Sequence, residues 1–246
     1  MPSSFWDAVN GVIGEADIVL EVVDARRIDE TRNLEIEEKV RRAGKVLVYV
    51  FNKCDLASQA ELEHKKKELQ PSVFVSAKDY HGIKMLQERI MIEAKRLGLK
   101  TPKVGVLGYP NMGKSSLINA LNGTGKAKTS AESGFTKGKQ YIRAKKLLLI
   151  DTPGVIPYGE NDEVKKAITG IDTRQKDPEA AVLKVMEEYP GVIESHYDAE
   201  TDKDDLEIGL ENIARKLNLL LKGGRADTRR TAERVLRDLR EGKISL

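Results

Sequence analysis

The sequence lacks the residues on which several protein classes depend. Among its 246 residues there is a single cysteine, Cys54, which excludes a disulfide framework and a zinc site built from cysteines. Its longest apolar runs, such as Leu147–Ile150, are far shorter than the ~20 residues of a membrane span. The first residues show no basic segment followed by an apolar run, so we expect no secretory signal. These absences predict a soluble, cytoplasmic protein without a membrane partner.

The pattern of apolar residues predicts two domains. Over residues 1–158, strand-like runs at 18–23, 45–51, 73–75, 104–107, 141–144 and 147–150 alternate with helical patterns. This alternation predicts an α/β fold with a mostly parallel, six-stranded sheet that helices cover on both faces. Residues 159–246 show no strand pattern. Their three helical patterns, the second running from Leu206 to Leu220 and closed by Gly223-Gly224, predict a small α-helical domain.

A glycine-rich loop predicts a phosphate site. Residues 108–115 read G-Y-P-N-M-G-K-S and match G-x-x-x-x-G-K-[ST] between a predicted strand and a predicted helix. The glycines let backbone amides point into one concavity, and the helix N-terminus adds partial positive charge. Lys114 is expected to reach the β- and γ-phosphates, and the Ser115 hydroxyl to bind Mg²⁺. The other candidate phosphate-binding residues are Pro110, Asn111, Met112, Gly113 and Ser116.

A second motif, D-T-P-G at residues 151–154, follows another predicted strand. Asp151 is expected to support Mg²⁺ through water, as such aspartates do beside a P-loop. The Gly154 amide is a candidate donor to the γ-phosphate, although the motif alone is compatible with an ordinary turn. Thr136 is the predicted switch threonine over Mg²⁺ and the γ-phosphate, with Thr129 and Ser130 as alternatives. The candidate catalytic residues are Lys114, Thr136 and Gly154.

Two motifs upstream of the P-loop predict which base is bound. Residues 52–55 read N-K-C-D after a predicted strand. An aspartate in this tetrad accepts hydrogen bonds from guanine N1–H and N2–H₂, a pattern that adenine does not offer. Residues 76–78 read S-A-K and offer a backbone amide, assigned to Ala77, to guanine O6. Alone, N-K-C-D is equally compatible with a polar turn, and an ATPase is an alternative to be tested by Asp55→Asn. The candidate base-binding residues are Asn52, Lys53, Asp55, Ser76, Ala77 and Lys78.

The order of these motifs differs from the ordinary GTPase order, because the base motifs precede the phosphate motifs. This order, with V-V-D-A-R at residues 22–26, resembles the circularly permuted GTPases of the ribosome-assembly group (the YlqF/RbgA type). Residues 223–243 also resemble the C-terminal helical domain of that group. The resemblance implies a GTPase that binds GTP or GDP with Mg²⁺ and acts on the large ribosomal subunit or its precursor. We expect a monomer.

Catalysis is where the sequence departs from many GTPases. Val155 follows D-T-P-G, where a glutamine often orients the attacking water, so we expect slow intrinsic hydrolysis. The resemblance implies stimulation by ribosomal particles and a K⁺ ion held with the help of Asn111. Bacterial members of the group have a candidate catalytic histidine in an N-terminal G-H-M motif, whereas the first histidine here is His64. The alternative function is an RNA-binding scaffold in which the nucleotide is structural and its hydrolysis incidental.

The net charge of +3 hides a basic C-terminal segment. Residues 222–246 hold eight basic and four acidic residues, a surplus larger than that of the whole chain. Arginine binds phosphate through two parallel hydrogen bonds, so an arginine-rich helix face suits an RNA backbone. A solvated face of a charge-rich protein is the alternative, and the family resemblance favours ribosomal RNA. The candidate RNA-binding residues are Arg229, Arg230, Arg234 and Arg237.

The connection between the two predicted domains has a mechanical consequence. D-T-P-G leads through residues 154–159 directly into the helical domain. A switch held by the γ-phosphate and released on hydrolysis would therefore bias the orientation of that domain.

Overall fold

The computed structural model describes residues 5–123, 140–151, 166–167, 177–202 and 205–244. The Cα positions separate into two compact units, residues 1–159 and 160–246. The predicted switch residues Thr136 and Gly154, with Thr129, Ser130 and Val155, lie outside the described residues.

The first unit alternates helices with strands along the chain. Its helices are α1 (Phe5–Glu15), α2 (Ile28–Thr31), α3 (Leu34–Arg42), α4 (Gln59–Glu68), α5 (Ile83–Arg96) and α6 (Lys114–Asn122). Its strands are β1 (Ile18–Asp24), β2 (Val46–Asn52), β3 (Ser72–Phe74), β4 (Lys103–Leu107), β5 (Gln140–Ala144) and β6 (Leu147–Asp151). A single 3-10 turn, Cys54–Leu56, follows β2 among the described residues.

The strands form one six-stranded sheet in the order β3-β2-β1-β4-β6-β5. Every described pairing is parallel except that of β5 with β6. The predicted α/β fold with a mostly parallel six-stranded sheet is therefore confirmed. The predicted strand at 73–75 is shifted by one residue, since β3 covers Ser72–Phe74.

The central strand β1 is buried on both of its faces. Val19 joins a core with residues of α1 and α3, and Val23 joins a core with Phe51 and with Leu62 of α4. Because side chains alternate along a strand, Leu20 and Val22 point to the other face, where they are equally buried. Helix α5 contacts β1, β2 and β3, and α6 contacts β5 and β6. Burial on both faces explains the near-continuous apolar sequence of β1.

The described secondary structure of the second unit is helical, apart from one isolated bridge. Helices α7 (Pro178–Glu188), α8 (Val192–His196), α9 (Leu206–Lys216) and α10 (Thr228–Glu241) surround an apolar core. Asp177, Asp205 and Asp227 cap α7, α9 and α10, each accepting a backbone N–H with its side chain, as short polar residues do at helix starts.

Two details of the second unit differ from the sequence prediction. The helix that was predicted to continue to Gly223-Gly224 ends at Lys216. Leu217 is its C-cap, and Asn218 takes a left-handed φ of 55°, which turns the chain out of the helix. Leu220 instead pairs with Ala226 in an isolated bridge. The short helix α8 was not predicted; it begins after Gly191, its N-cap, which has a left-handed φ of 76°.

Among the described residues, no helix combines the length and the apolar character needed to cross a membrane.

Candidate nucleotide site

The predicted base and phosphate motifs lie at one edge of the sheet. The carboxyl ends of parallel strands share an edge, and ligands of open α/β sheets bind there. Asn52, at the end of β2, lies beside Asp24 at the end of β1, and Asp151 ends β6 opposite Val106 of β4. The loops that follow β2, β3 and β4 carry N-K-C-D, S-A-K and the P-loop. Motifs that are far apart in the sequence are thus neighbours in the fold.

The P-loop between β4 and α6 depends on glycine at two positions. Gly108 has a φ of 139°, and a Cβ there would lie 2.4 Å from the carbonyl oxygen of Val22. Gly113 has a φ of 88°, and a Cβ there would lie 2.3 Å from Nδ2 of Asn52. Asn111, between them, also takes a left-handed φ of 62°. Left-handed backbone at these three positions turns amides of the loop towards one side, which is the geometry of an anion cradle.

Lys114, the first residue of α6, is buried behind this loop. Its side chain is almost inaccessible, and Nζ donates to the carbonyl oxygen of Tyr109 at 2.6 Å. Removal from water lowers the pKa of the Lys114 ammonium to about 8, while the negative charge of Asp151 acts in the opposite direction. Because a buried ammonium group is poorly solvated, a nearby anion stabilises its charged form, and a polyphosphate would be such an anion.

Asn52 links the base side of the site to the phosphate side. Its side chain is buried; Nδ2 donates to the carbonyl oxygen of Met112 at 2.8 Å, and Oδ1 accepts the Ala77 N–H at 3.1 Å. One amide group therefore holds the P-loop and the S-A-K loop at a fixed separation. Because the Ala77 amide is used in this way, the assignment of Ala77 as donor to guanine O6 stays a prediction.

Asp24 fixes the position of Lys53, a contact that sequence reasoning did not find. The Asp24 carboxylate accepts Lys53 Nζ at 2.8 Å and binds Arg26 through Nε at 2.8 Å and Nη2 at 2.6 Å. Burial raises the pKa of Asp24, but hydrogen bonds and charges from Arg26 and Lys53 outweigh it and hold the pKa well below its usual value. The segment V-V-D-A-R, used above only as a resemblance, was the available signal.

The remaining predicted base residues lie in the two loops beside Asn52. Asp55 is in the turn Cys54–Leu56 and its side chain is exposed, as an acceptor for an incoming base must be. Ser76 is buried and its hydroxyl donates to Asp79 at 2.8 Å, so it shapes the loop. Lys78 is exposed in the same loop.

The predicted Mg²⁺ ligands are hard oxygen donors on neighbouring elements. No group of three or more His, Cys, Asp or Glu side chains suited to a metal occurs in the described part of the chain. A nucleotide-bound Mg²⁺ needs only one or two protein ligands, because phosphates and water supply the others. Ser115 and Ser116 lie in the first turn of α6, and Asp151 is buried at the end of β6. These residues fit Mg²⁺ that arrives with a nucleotide.

The four predicted RNA-binding arginines lie on the exposed side of α10. Arg230 and Arg237 are exposed, whereas Arg234 is anchored through Nε to the carboxylate of Asp238 at 2.8 Å. Nε of Arg229 lies 3.8 Å from Oε1 of Glu233. The opposite side of the helix is packed in the core, as predicted; its buried residues there are Ala232, Val235, Leu236 and Leu239.

Known proteins resemble this chain over nearly all of its length. A profile of the family "50S ribosome-binding GTPase" matches residues 103–222, so the match begins at the P-loop strand and leaves the base motifs upstream. An uncharacterized GTP-binding protein of Methanocaldococcus jannaschii is 40% identical over 245 residues, which cover 96% of this chain. Nucleolar GTP-binding protein 2 of Neurospora crassa is 33% identical over 255 residues, which cover 97% of this chain.

The chain spans only part of these relatives: 65% of the archaeal protein and 40% of the fungal one. Among solved structures, GNP-bound YlqF from T. maritima has a TM-score of 0.65 at 22% identity, covering 97% of this chain and 94% of that one. GDP-bound YlqF has a TM-score of 0.64, also at 22% identity. These two likenesses show that the fold is shared.

Proposed function

We propose that this chain, which belongs to the circularly permuted P-loop GTPases, is a guanine-nucleotide switch that acts in assembly of the large ribosomal subunit. The names of its relatives support both parts of the proposal, since they are called GTP-binding, nucleolar and 50S ribosome-binding proteins.

The observation that carries the proposal is the double hydrogen bond of Asn52. A purine nucleotide has its base and its phosphates about one ribose apart, so a selective site must hold both loops at one spacing. Asn52 bonds the P-loop at Met112 and the S-A-K loop at Ala77, and the exposed Asp55 follows it by three residues. This arrangement supports recognition of guanine and polyphosphate by one rigid site, with Mg²⁺ held by Ser115 and Asp151.

Base selectivity is the direct test. Asp55→Asn replaces an acceptor of guanine N1–H and N2–H₂ by a group that can also donate, so GTP affinity should fall while that for xanthosine triphosphate rises. Titration of both nucleotides, and of ATP, against the wild type and Asp55→Asn measures this. Equal binding of ATP and GTP by the wild type would refute a guanine site. Lys67→Gln, a charge change elsewhere on the surface, is the control and should leave all three affinities unchanged.

Slow hydrolysis is the second part of the proposal. Val155 has no group that can orient water, so most of the rate should come from a partner and from a cation near Asn111. We expect large ribosomal subunits to raise turnover, and K⁺ to raise it more than Na⁺ at equal ionic strength. The scaffold alternative, which Val155 equally favours, predicts no stimulation by subunits under either salt.

The helical unit, residues 160–246, is proposed to bind ribosomal RNA through α10. The exposed Arg230 and Arg237 are better placed for phosphate than Arg234, whose guanidinium is held by Asp238. Arg230→Glu/Arg237→Glu should therefore weaken RNA binding more than Arg234→Glu does. The monomeric state and the cytoplasmic location stay predictions.

A further inference from the structure

A cavity of about 330 Å³ lies at the free edge of the sheet, beside β3. Edge strand β3 pairs only with β2 in the six-stranded sheet. The cavity is at the amino end of β3, whereas the S-A-K loop and the nucleotide site are at its carboxyl end. A ligand here would not compete with the nucleotide. The lining residues are Lys66, Gln70, Pro71, Ser72, Arg89 and Arg96.

The lining has three cations and no acid. The two arginines share one carboxylate: Glu93, nearly buried, is 3.4 Å from Nη1 of Arg89 and 3.0 Å from Nη1 of Arg96. Nζ of Lys66 lies 3.6 Å from Oε1 of Glu63, and such an exposed ion pair contributes little to stability. Three cations against two carboxylates leave the cluster positive. Arg89 and Arg96 lie two turns apart on α5 with Glu93 between them, so both can pair with its carboxylate.

Ser72 adds donors that the folded protein does not use. Its side chain is buried, and its hydroxyl oxygen has no hydrogen-bond partner, which is uncommon for a buried polar group. Strand β2 bonds the carbonyl of Pro71 and the amide of Val75. Main-chain groups alternate in direction along a strand, so those of Ser72 point outwards from the free edge. The amide of Ser72 thus faces the free edge, and Ser72 lines the cavity together with the three cations.

These donors suit the oxygens of a phosphate group. Arginine binds phosphate in a fork, lysine contributes a point charge, and hydroxyl and amide groups complete the coordination. The side chain of Arg96 is 68% exposed, so the cavity opens to the surface and leaves room for a ligand whose bulk lies outside. The lining has no aromatic residue on which a base could stack, which favours recognition of the backbone over that of sequence.

We propose that this cavity binds a phosphodiester group of an RNA backbone, as a contact on the nucleotide-binding unit separate from α10. The proposal rests on the proposed ribosomal function for the identity of the RNA, and on Lys66, Ser72, Arg89 and Arg96 for the chemistry. It places a backbone contact at the amino end of edge strand β3, whereas the nucleotide site is at the carboxyl ends of the strands.

The test uses variants that keep the Glu93 pairs intact. Lys66→Gln/Ser72→Ala removes one charge and the unused hydroxyl, and Arg96→Lys keeps the charge against Glu93 but loses the fork. Lys67→Gln, an exposed lysine on the same helix that does not line the cavity, is the matched control. Affinity for large-subunit ribosomal RNA is measured at several salt concentrations, and GDP affinity serves as the check of folding.

We expect Lys66→Gln/Ser72→Ala to weaken RNA binding about three- to tenfold and to reduce the slope of log K against log salt by about 0.7–0.9, the loss of one phosphate contact. GDP affinity should not change. RNA binding equal to that of Lys67→Gln would overturn the cavity as a contact while leaving the ribosomal function intact. Failure of the wild type to bind ribosomal RNA would overturn both.

A second readout separates RNA from small phosphorylated ligands. The amide resonance of Ser72 is followed by NMR during titration of the full chain with a uridine oligonucleotide, and separately with inorganic phosphate. A shift with the oligonucleotide, lost in Lys66→Gln, supports the proposal. A shift with inorganic phosphate alone would overturn the RNA assignment, and no shift with either would overturn the site.

Discussion

Replacing Asn52 by alanine should disable both halves of the nucleotide site at once. The change removes the bond to the Met112 carbonyl at 2.8 Å and the bond from the Ala77 amide at 3.1 Å. A hydrogen bond of this kind contributes about 1 kcal/mol net, and a buried main-chain group left unpaired costs ~1–3 kcal/mol. Two such groups give a total of about 2–6 kcal/mol, divided between folding and binding. If at least ~2 kcal/mol falls on binding, GDP affinity drops about 30-fold or more.

The assay is titration of GDP by calorimetry, with the unfolding temperature of the nucleotide-free protein measured in parallel. Asn33→Ala is the matched control, because Asn33 is equally buried and its Oδ1 accepts the Ile36 amide at 3.1 Å as the cap of α3. That variant should unfold at a lower temperature by the loss of a cap and bind GDP like the wild type. A folded Asn52→Ala protein that binds GDP within threefold of the wild type would refute the view that Asn52 couples the two loops.

Three further predictions follow from the same site. Burial lowers the pKa of Lys114 from 10.5 to about 8, so the charge of its ammonium group destabilises the nucleotide-free fold below pH 8. Lys114→Met should therefore stabilise the nucleotide-free protein at pH 7 by up to ~3 kcal/mol, measured by thermal unfolding. The same variant should lose GDP binding, measured by titration. GDP affinity of the wild type should fall about tenfold from pH 7 to pH 9 as the ammonium loses its proton, whereas a flat profile would refute the low pKa. Asp24→Asn and Lys53→Met should each weaken GDP binding about tenfold. The double variant should lose no more than either single variant, because both changes break the same charge-assisted contact. Additive losses would mean that Asp24 does not act through Lys53.

The elements around the site were predictable because their signals are local. A buried parallel strand such as β1 is apolar apart from Glu21 and its last residue, Asp24, and the spacing of apolar residues along α5 and α10 follows the helical period. The turn residues at Gly108 and Gly113 stand in a motif whose backbone requirements are known. Each of these features depends on a few consecutive residues, so one sequence was enough to locate them and to place the nucleotide motifs directly after predicted strands.

Contacts between distant segments could not be predicted in the same way. The pairing of Asp24 with Lys53 joins residues 29 positions apart, and neither residue type indicates its partner. The cavity beside β3 depends on the approach of α4 and α5 to the free strand edge, which no periodicity encodes. The end of α9 was predicted too late because the leucines continue past Lys216, while the left-handed Asn218 had already turned the chain.

The permuted order of the motifs leaves the site intact, because a site at the carboxyl edge depends on which strands are neighbours. Strand β1 lies between β2 and β4, so the base strand and the phosphate strand are separated by one strand, at whose end Asp24 holds Lys53. Asn52 can therefore precede Met112 by 60 positions and still bond it. What the order does change is the segment after Asp151, where the chain runs from D-T-P-G to the helical unit that begins at residue 160. In the proposed cycle, contacts made or lost at the γ-phosphate act on a segment covalently continuous with the helical unit, so that unit, rather than the sheet, would report the state of the nucleotide.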